Sequence, residues 1–426
     1  MSREKHCMRR EDLSKYALNV LDRLCEKGYE AYAVGGCVRD RLMGYHPKDF
    51  DVVTNATPEQ VKSVFKNCRL IGRRFRLAHI HFGREIIEVA TYRGHHTEAQ
   101  DDEDSTDRRA LSADSGQILR DNVFGTIEED AARRDFTFNA MYFNAQTEEI
   151  LDFAEGIDAI NKKEIRMIGD IRTRFAEDPV RMLRAARFSV KLNMLISDNM
   201  VALIDEMGGL LANIPPARLF EETNKLLLST YGAKAFNKLL TLNLIYQLFP
   251  CLSASLRDQS SKEYLFIQAM LENTDARLLQ NLRVTPAFLY ASFLWYPLEE
   301  LSHKLRFESG MSEYDAINIA GVEVLNRQVQ RVMIPKRFTS TIRDIWALQY
   351  RLSKRTSKRP FVLLTHTKFR AAYDFLALRG QVEGGATQEL AEWWTDFQKA
   401  DEPKRRKMLG ANKHKARRPR KKPSKD

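Results

Sequence analysis

Short apolar runs divided by polar punctuation fill the first third of the chain, and amphipathic stripes at helical spacing fill most of the rest. Between about residues 28 and 155, β-like runs at 31–34, 50–53, 77–82, 86–91 and 137–143 alternate with helical stretches such as 58–67. That alternation predicts a mixed α/β domain. Thr57-Pro58-Glu59-Gln60 reads as a helix start, with Thr57 as the cap and Pro58 at the first position. A polar stretch at about 95–117, dense in acids and including Asp101-Asp102-Glu103-Asp104, has no apolar period and is expected to be a long mobile loop. Beyond about Phe175 the period is helical almost throughout, with breaks at Pro215-Pro216 and Pro286. Stripes such as Leu219, Phe220, Leu226, Leu227 and Phe288, Leu289, Phe293, Leu294 predict helix-bundle packing. No internal repeat interrupts this order.

With 426 residues, 43% of them apolar, the chain can build more than one domain with a real core. No apolar run approaches the length of a membrane span, and the N-terminus lacks the apolar core of a secretory signal, so a cytoplasmic location is expected. Five scattered cysteines, Cys7, Cys25, Cys37, Cys68 and Cys251, contain no C-x-x-C pair. They suggest small core residues, neither a disulfide framework nor a zinc site.

Charge changes the picture at the C-terminus. From Lys404 to Asp426 there are twelve Lys/Arg against one acid, so the whole formal excess of +11 resides there and residues 1–403 are neutral. Pro419 and Pro423 and the lack of apolar period predict a disordered basic tail over 401–426, suited to a polyphosphate chain such as RNA. A purely solubilising tail is the bland alternative.

Candidate chemistry lies upstream. A strand at 31–34 runs into Gly35-Gly36-Cys37-Val38-Arg39-Asp40, where two glycines let backbone N–H groups approach an anion and a following helix adds its dipole. This is neither G-x-G-x-x-G nor a P-loop, which argues against a dinucleotide enzyme and a P-loop ATPase. Asp49 and Asp51 follow within sixteen residues. On an extended strand such a pair shares a face, and carboxylates so placed can share two Mg²⁺ ions about 3.5–4 Å apart. Alone, Asp-x-Asp more often means a solvated turn, and the context carries the reading. Arg133-Arg134-Asp135 offers paired cations for a triphosphate and a carboxylate for a ribose hydroxyl or the metal set, or else a surface salt-bridge network. Glu88 is a second candidate for the third carboxylate. In Glu177-Asp178-Pro179-Val180-Arg181-Met182-Leu183-Arg184, the acceptor Asp178 and the donor Arg181 could read the edge of a base, with Arg184 on the same face.

Taken in order, Gly35-Gly36, Asp49-x-Asp51, Arg133-Arg134-Asp135 and Glu177-Asp178-x-x-Arg181 resemble the motif series of the class II nucleotidyltransferases of the DNA polymerase β superfamily. That family holds the bacterial CCA-adding enzymes and the bacterial poly(A) polymerases. The segment from Leu70 to Ile80, Ile334-Pro335-Lys336-Arg337, the stretch from Lys368 to Asp374 and the basic tail are similar to the poly(A) polymerase branch. The resemblance implies an α/β nucleotidyltransferase head with a mixed sheet (1–155), a helical neck that recognises the nucleotide (156–235), an all-α body and leg that bind RNA (236–400), and the tail. It implies catalysis by Asp49, Asp51 and Asp135, with Mg²⁺ on Asp49 and Asp51. Nucleotide contacts would come from Gly35, Gly36, Arg39, Arg133, Arg134, Asp178, Arg181 and Arg184. The implied reaction is untemplated addition of AMP from ATP to mostly single-stranded RNA 3′ ends, in the company of RNA-decay proteins. A CCA-adding tRNA nucleotidyltransferase is the near alternative, and a non-catalytic RNA-binding factor is the alternative of another class.

Overall fold

The computed structural model describes residues 1–72, 76–94 and 124–415. They group into two compact units, Met1–Leu210 and Leu211 onward, so the helical segment 156–210 belongs with the sheet and the expected neck at 156–235 straddles the division. The expected acidic loop lies outside the described residues.

In chain order the first unit contains α1 (Lys15–Glu26), β1 (Ala31–Val34), α2 (Gly36–Leu42), β2 (Asp51–Thr54), α3 (Pro58–Val64), β3 (Cys68–Ile71), β4 (Leu77–Phe82), β5 (Glu85–Thr91), α4 (Ile127–Arg133), β6 (Met141–Phe143), β7 (Ile150–Asp152), α5 (Gly156–Lys162), α6 (Ile171–Glu177) and α7 (Val180–Lys191). These seven strands form one sheet in the order β3-β4-β5-β2-β1-β6-β7, and two further short strands, Glu164–Ile165 and Leu195–Ile196, pair with each other in parallel. β2 and β5 run parallel and the other neighbours antiparallel, which makes the sheet mixed as expected. The register sets Val34 opposite Asp51 and Asp51 opposite Glu88. α1 buries Ala17, Val20, Leu21 and Leu24, a single face at i, i+3, i+4 and i+7 spacing. At α3 the anticipated cap forms in full: the Thr57 hydroxyl accepts from Gln60 N–H, and the Gln60 side chain accepts from Thr57 N–H.

Three local expectations are corrected. β3 and β7 were not anticipated; they are short strands at the two edges of the sheet, where apolar alternation is weakest. The expected strand 137–143 begins with a 3₁₀ turn, Thr137–Asn139, and extends only from Met141. That turn brings the Asn139 amide back to donate to Asp135 four residues earlier, at 3.0 Å. Of the cysteines, Cys37 and Cys68 are buried as expected, but Cys7 is exposed.

α6 and α7 meet at Asp178-Pro179, where the proline forces Asp178 out of helical geometry (φ −146°, ψ 89°). α7 then docks on the turn before β6. Phe188 meets Phe136 and Phe138 edge-on at 5.7 and 5.4 Å, and those two rings stack at 5.5 Å.

The second unit is helical throughout its described residues. Helices Pro216–Leu227 and Pro286–Phe293 begin on the expected prolines, and Leu219, Leu226, Leu227, Leu289, Phe293 and Leu294 are core residues. A separate apolar cluster gathers Leu348, Leu352, Leu363, Phe369, Leu376, Trp394 and Phe397. The expected disordered tail from 401 is corrected here. Glu402–Lys415 is a helix; Met408 and Leu409 pack on that cluster, and the Arg405 guanidinium donates to the carbonyls of Phe397 and Gln398 at 2.8 Å each. Two apolar contacts and one capping arginine suffice to extend order into a segment whose charge alone suggested none. The rest of the basic tail lies outside the described residues.

Because Phe188 is nearly fully buried among aromatic rings, Phe188→Ala should destabilise the first unit by about 3–5 kcal/mol. Urea unfolding followed by fluorescence and circular dichroism measures it. A loss under about 1 kcal/mol would mean that α7 is held by other contacts.

Candidate active site

The sheet register brings the carboxylates together. Asp51 opens β2, and Glu88 is its register partner on β5, so both side chains leave the same face. Asp49 lies two residues before the strand and is exposed, not on the strand as expected. Although water reaches Asp51, burial of its carboxyl pushes it up to about 6; Glu88 and then Asp49 add repulsion, and Arg134 opposes the rise. The three carboxylates therefore act on one another. On the far side of Glu88, His79 Nε2 lies 3.7 Å from its carboxylate.

The glycine turn borders this group. Gly35 has φ +72° and ψ −117°, a conformation that side-chain-bearing residues rarely adopt. Its own N–H is used by Met141 O at 3.3 Å. What remains for an anion is the first turn of α2, whose N–H groups lack intrahelical acceptors. A Cβ on Gly35 would lie 3.5 Å from Arg134 Nη1, so Arg134 stands directly beside the turn.

Arg134 is locked from behind. Its Nε donates to Asp130 Oδ2 and Tyr142 Oη, both at 3.0 Å, and Tyr142 Oη donates to the same carboxylate oxygen at 2.8 Å. Asp130, only 6% exposed, is the anchor of this cluster and went unnoticed within an acidic string in the sequence. Arg133 donates to Gly94 O. Behind the pair, Arg174 of α6 donates to the carbonyls of Arg133 and Arg134 at 2.6 Å each and to Glu177 at 2.8 Å. Sequence reasoning missed Arg174 as well, because nothing in a lone arginine marks a backbone acceptor forty residues away.

Asp135 does not join the carboxylates around Asp51. Burial alone would raise it, but Arg184, the Asn139 amide and the Phe136 N–H together hold it near 2. Arg184 Nε lies 2.5 Å from its Oδ2, and the other oxygen accepts from Phe136 N–H and Asn139. Arg39, expected at the nucleotide, is 4% exposed and gives its guanidinium to Asp40 and to Asn139 Oδ1 at 2.6 Å. Arg181 is 8% exposed, and its Nη1 donates to Glu177 and to Arg174 O. Asp178 accepts from Val180 N–H at 3.3 Å.

The donor set suits a hard divalent cation. Asp49 and Asp51 supply carboxylate oxygens of the kind Mg²⁺ takes, and their mutual repulsion falls when a cation is present. Among the described residues no three His, Cys, Asp or Glu side chains converge tightly enough to enclose a metal. An ion held by this pair would therefore complete its shell with water and substrate phosphate, the usual habit of Mg²⁺.

Three family models match the chain: a poly A polymerase head domain over 31–166, a probable RNA and SrmB-binding site of polymerase A over 193–256, and a polymerase A arginine-rich C-terminus over 309–426. Poly(A) polymerase I of Salmonella typhimurium is 49% identical over 410 residues, which cover 96% of this chain and 87% of that protein. The chain belongs to the bacterial poly(A) polymerase I family. A CCA-adding enzyme of Oceanobacillus iheyensis shares 35% identity, but over only 60% of this poly(A) polymerase family member. The fold is likewise that of the crystal structure of the Bacillus stearothermophilus CCA-adding enzyme in complex with CTP, with a TM-score of 0.56 at 24% identity over 89% of this chain and 80% of that one.

The raised Asp51 carboxyl has a thermodynamic signature. Its folded-state pKa of about 6 exceeds the ordinary value of 3.8, so the folded protein binds this proton more tightly than the unfolded chain. The associated stability is present in acid and lost as pH rises through 6. Asp51→Asn should therefore raise the melting temperature of the metal-free protein at pH 7–8, by an amount that shrinks between about pH 6 and pH 4. Calorimetry across pH tests this, and equal melting temperatures at pH 8 would remove the assigned crowding.

Proposed function

We infer that the first unit transfers AMP from ATP to the 3′-hydroxyl of RNA without a template, releasing pyrophosphate. The observation that carries this reading is the charge set of Asp51, Glu88 and Asp49 beside the Gly35 turn and Arg134, in a chain matched to poly(A) polymerase I relatives over 96% of its length.

Asp49 and Asp51 are the residues that would hold Mg²⁺. Two bound ions would supply a lowered pKa for the RNA 3′-hydroxyl and neutralisation of the departing pyrophosphate. The chain itself positions the reactants. First-turn N–H groups of α2 receive triphosphate oxygens, and Arg134, prevented from turning by Asp130 and Tyr142, presents fixed positive charge next to them. Arg133, adjoining it, contributes a second cation. Glu88 is the third carboxylate of the group, since its charge acts on Asp51. Asp135, Arg184 and Arg39 act as positioning residues, because their polar atoms are engaged with one another through Asn139. Asp178, at the Pro179 corner, reads the base with Arg181, which Glu177 braces.

RNA is held by the second unit and the basic tail, a reading supported by the family descriptions of residues 193–256 and 309–426. A contact with an RNA-decay protein through 193–256 belongs to the same reading. No helix among the described residues is long and apolar enough to cross a membrane, and a cytoplasmic site of action accords with an RNA substrate.

The test supplies pure protein with an unstructured RNA, a tRNA lacking its 3′ end, and each NTP singly and in competition. Long ATP-dependent extension of the unstructured RNA is expected. Asp49→Asn and Asp51→Asn should each lower the rate by orders of magnitude with folding intact, because each removes one charge and little volume. Near-wild-type turnover in either would end the assignment. Addition confined to C, C and A on the tRNA would transfer the chain to the CCA-adding reading. In the same competition, Asp178→Ala should cost about 1–3 kcal/mol of preference for ATP over CTP; an unchanged ratio would put the selector elsewhere.

A further inference from the structure

Charge counting makes the chain up to residue 403 neutral, yet that average conceals a folded basic locus. Over 345–373 there are seven Lys/Arg and no Asp or Glu. Five of them, Arg351, Lys354, Arg355, Lys358 and Arg359, crowd the corner between helices Lys336–Ser353 and Arg359–Leu364. Three exposed arginines of this unit pair with an acid one helical turn away: Arg327 with Glu323, Arg370 with Asp374, Arg406 with Glu402. At the corner, among the described residues, none of the five has an acidic partner within 4.0 Å. A fold that gathers five cations in nine residues without counter-charge stores repulsion that a polyanion relieves.

The corner also has shape. A cleft of about 470 Å³ elsewhere in this unit is lined by glutamates, but the one here, about 750 Å³, is lined by Tyr350, Arg351, Lys354, Lys358, Arg359 and Val362. Lys354 Nζ lies 4.5 Å from the centre of the Tyr350 ring, and Tyr314, about half exposed, lies 5.7 Å from that ring. Behind the corner the scaffold is rigid: Trp394 Nε1 donates to Leu352 O at 2.9 Å, and the Gln349 amide donates to Ala372 O at 3.0 Å. Cations without acidic partners beside the half-buried Tyr350 ring and the exposed Tyr314 ring offer what sequence-blind binding of single strands uses, cations for phosphates and rings for bases.

We propose that the corner 350–362 is a binding site for the phosphodiester backbone of single-stranded RNA, separate from the basic tail. The proposal rests on the reading that this chain acts on RNA, and its test reads binding, not adenylation. Labelled oligoadenylate is titrated by anisotropy against full-length wild type, against Lys354→Glu/Lys358→Glu/Arg359→Glu, and against a charge-matched control, Arg277→Glu/Lys304→Glu/Arg306→Glu, at three salt concentrations. The corner variant should bind at least tenfold more weakly than the control and lose up to about 2 from the slope of log affinity against log salt. A Gln triple at the same positions, checked for unchanged melting temperature, should show a smaller loss in the same direction. Corner and control variants binding alike would overturn the proposal, and so would RNA binding kept while affinity for anionic vesicles is lost. If wild type binds RNA but adds no nucleotide, the proposed reaction fails and the site stands or falls on the comparison between variants.

Discussion

The half-buried ion pair between Asp135 and Arg184 is the constraint on which the first unit's arrangement depends. Burial by itself disfavours the Asp135 carboxylate, which would be costly without a partner. The pair persists because the other carboxylate oxygen of Asp135 is satisfied as well, by Asn139 and by the Phe136 N–H. From there a circuit continues. Asn139 accepts from Arg39, Arg39 donates to Asp40, and Asp40 pairs with Lys191 at 3.3 Å. The circuit starts and ends on α7, at Arg184 and Lys191, and passes through α2 and the turn before β6. Phe188 fills its centre, with the guanidinium of Arg39 at 5.1 Å and that of Arg184 at 5.4 Å from its ring. Removing one member leaves an uncompensated charge in the middle of the set, a larger effect than loss of any single contact.

This circuit separates two kinds of aspartate. Asp135, surrounded by donors, is held near 2 and is committed; Asp51, facing Glu88 and Asp49, is pushed up to about 6 and is not. The same side chain thus serves as strut and as reactive group according to what faces it. Arg134 works on the boundary between them. Asp130 and Tyr142 fix it from behind, leaving its charge to act on Asp51 and its Nη1 beside the Gly35 turn.

Much of the fold could be read from the chain because its signals are local. The cap at Thr57, the prolines that open helices at 216 and 286, and the strands at 31–34 and 77–82 all follow from neighbouring residues. The Gly35-Gly36 turn was legible for the same reason, whereas Asp49 lies before the strand on which it was expected. What stayed hidden was partnership at a distance. An Arg-Arg-Asp string does not say that its aspartate will be taken by Arg184, forty-nine residues on, or that Arg39 will turn inward to Asn139, a hundred residues on. Such pairings are set by sheet order and helix docking, which short motifs do not encode. Glu88 is the converse case: an ordinary strand glutamate acquires chemistry because the parallel pairing of β2 with β5 puts it opposite Asp51.

Charge was misjudged by averaging. Counting over 403 residues gave zero and assigned every surplus cation to the tail, yet one corner of the second unit gathers five cations within nine residues that contain no acid. Exposed charges farther apart than the Debye length, about 8–10 Å at physiological salt, are largely screened from one another, so an average over the whole chain says little about any one place on its surface. Recognition of a phosphate occurs well inside that length, so the relevant quantity is the local count of unpaired cations on a rigid support. By that measure the helix Glu402–Lys415 is weaker than its composition suggests, since Arg406 is paired with Glu402 and Arg405 is bonded to the carbonyls of Phe397 and Gln398. At the corner 351–359, among the described residues, none of the five cations has an acidic partner within 4.0 Å.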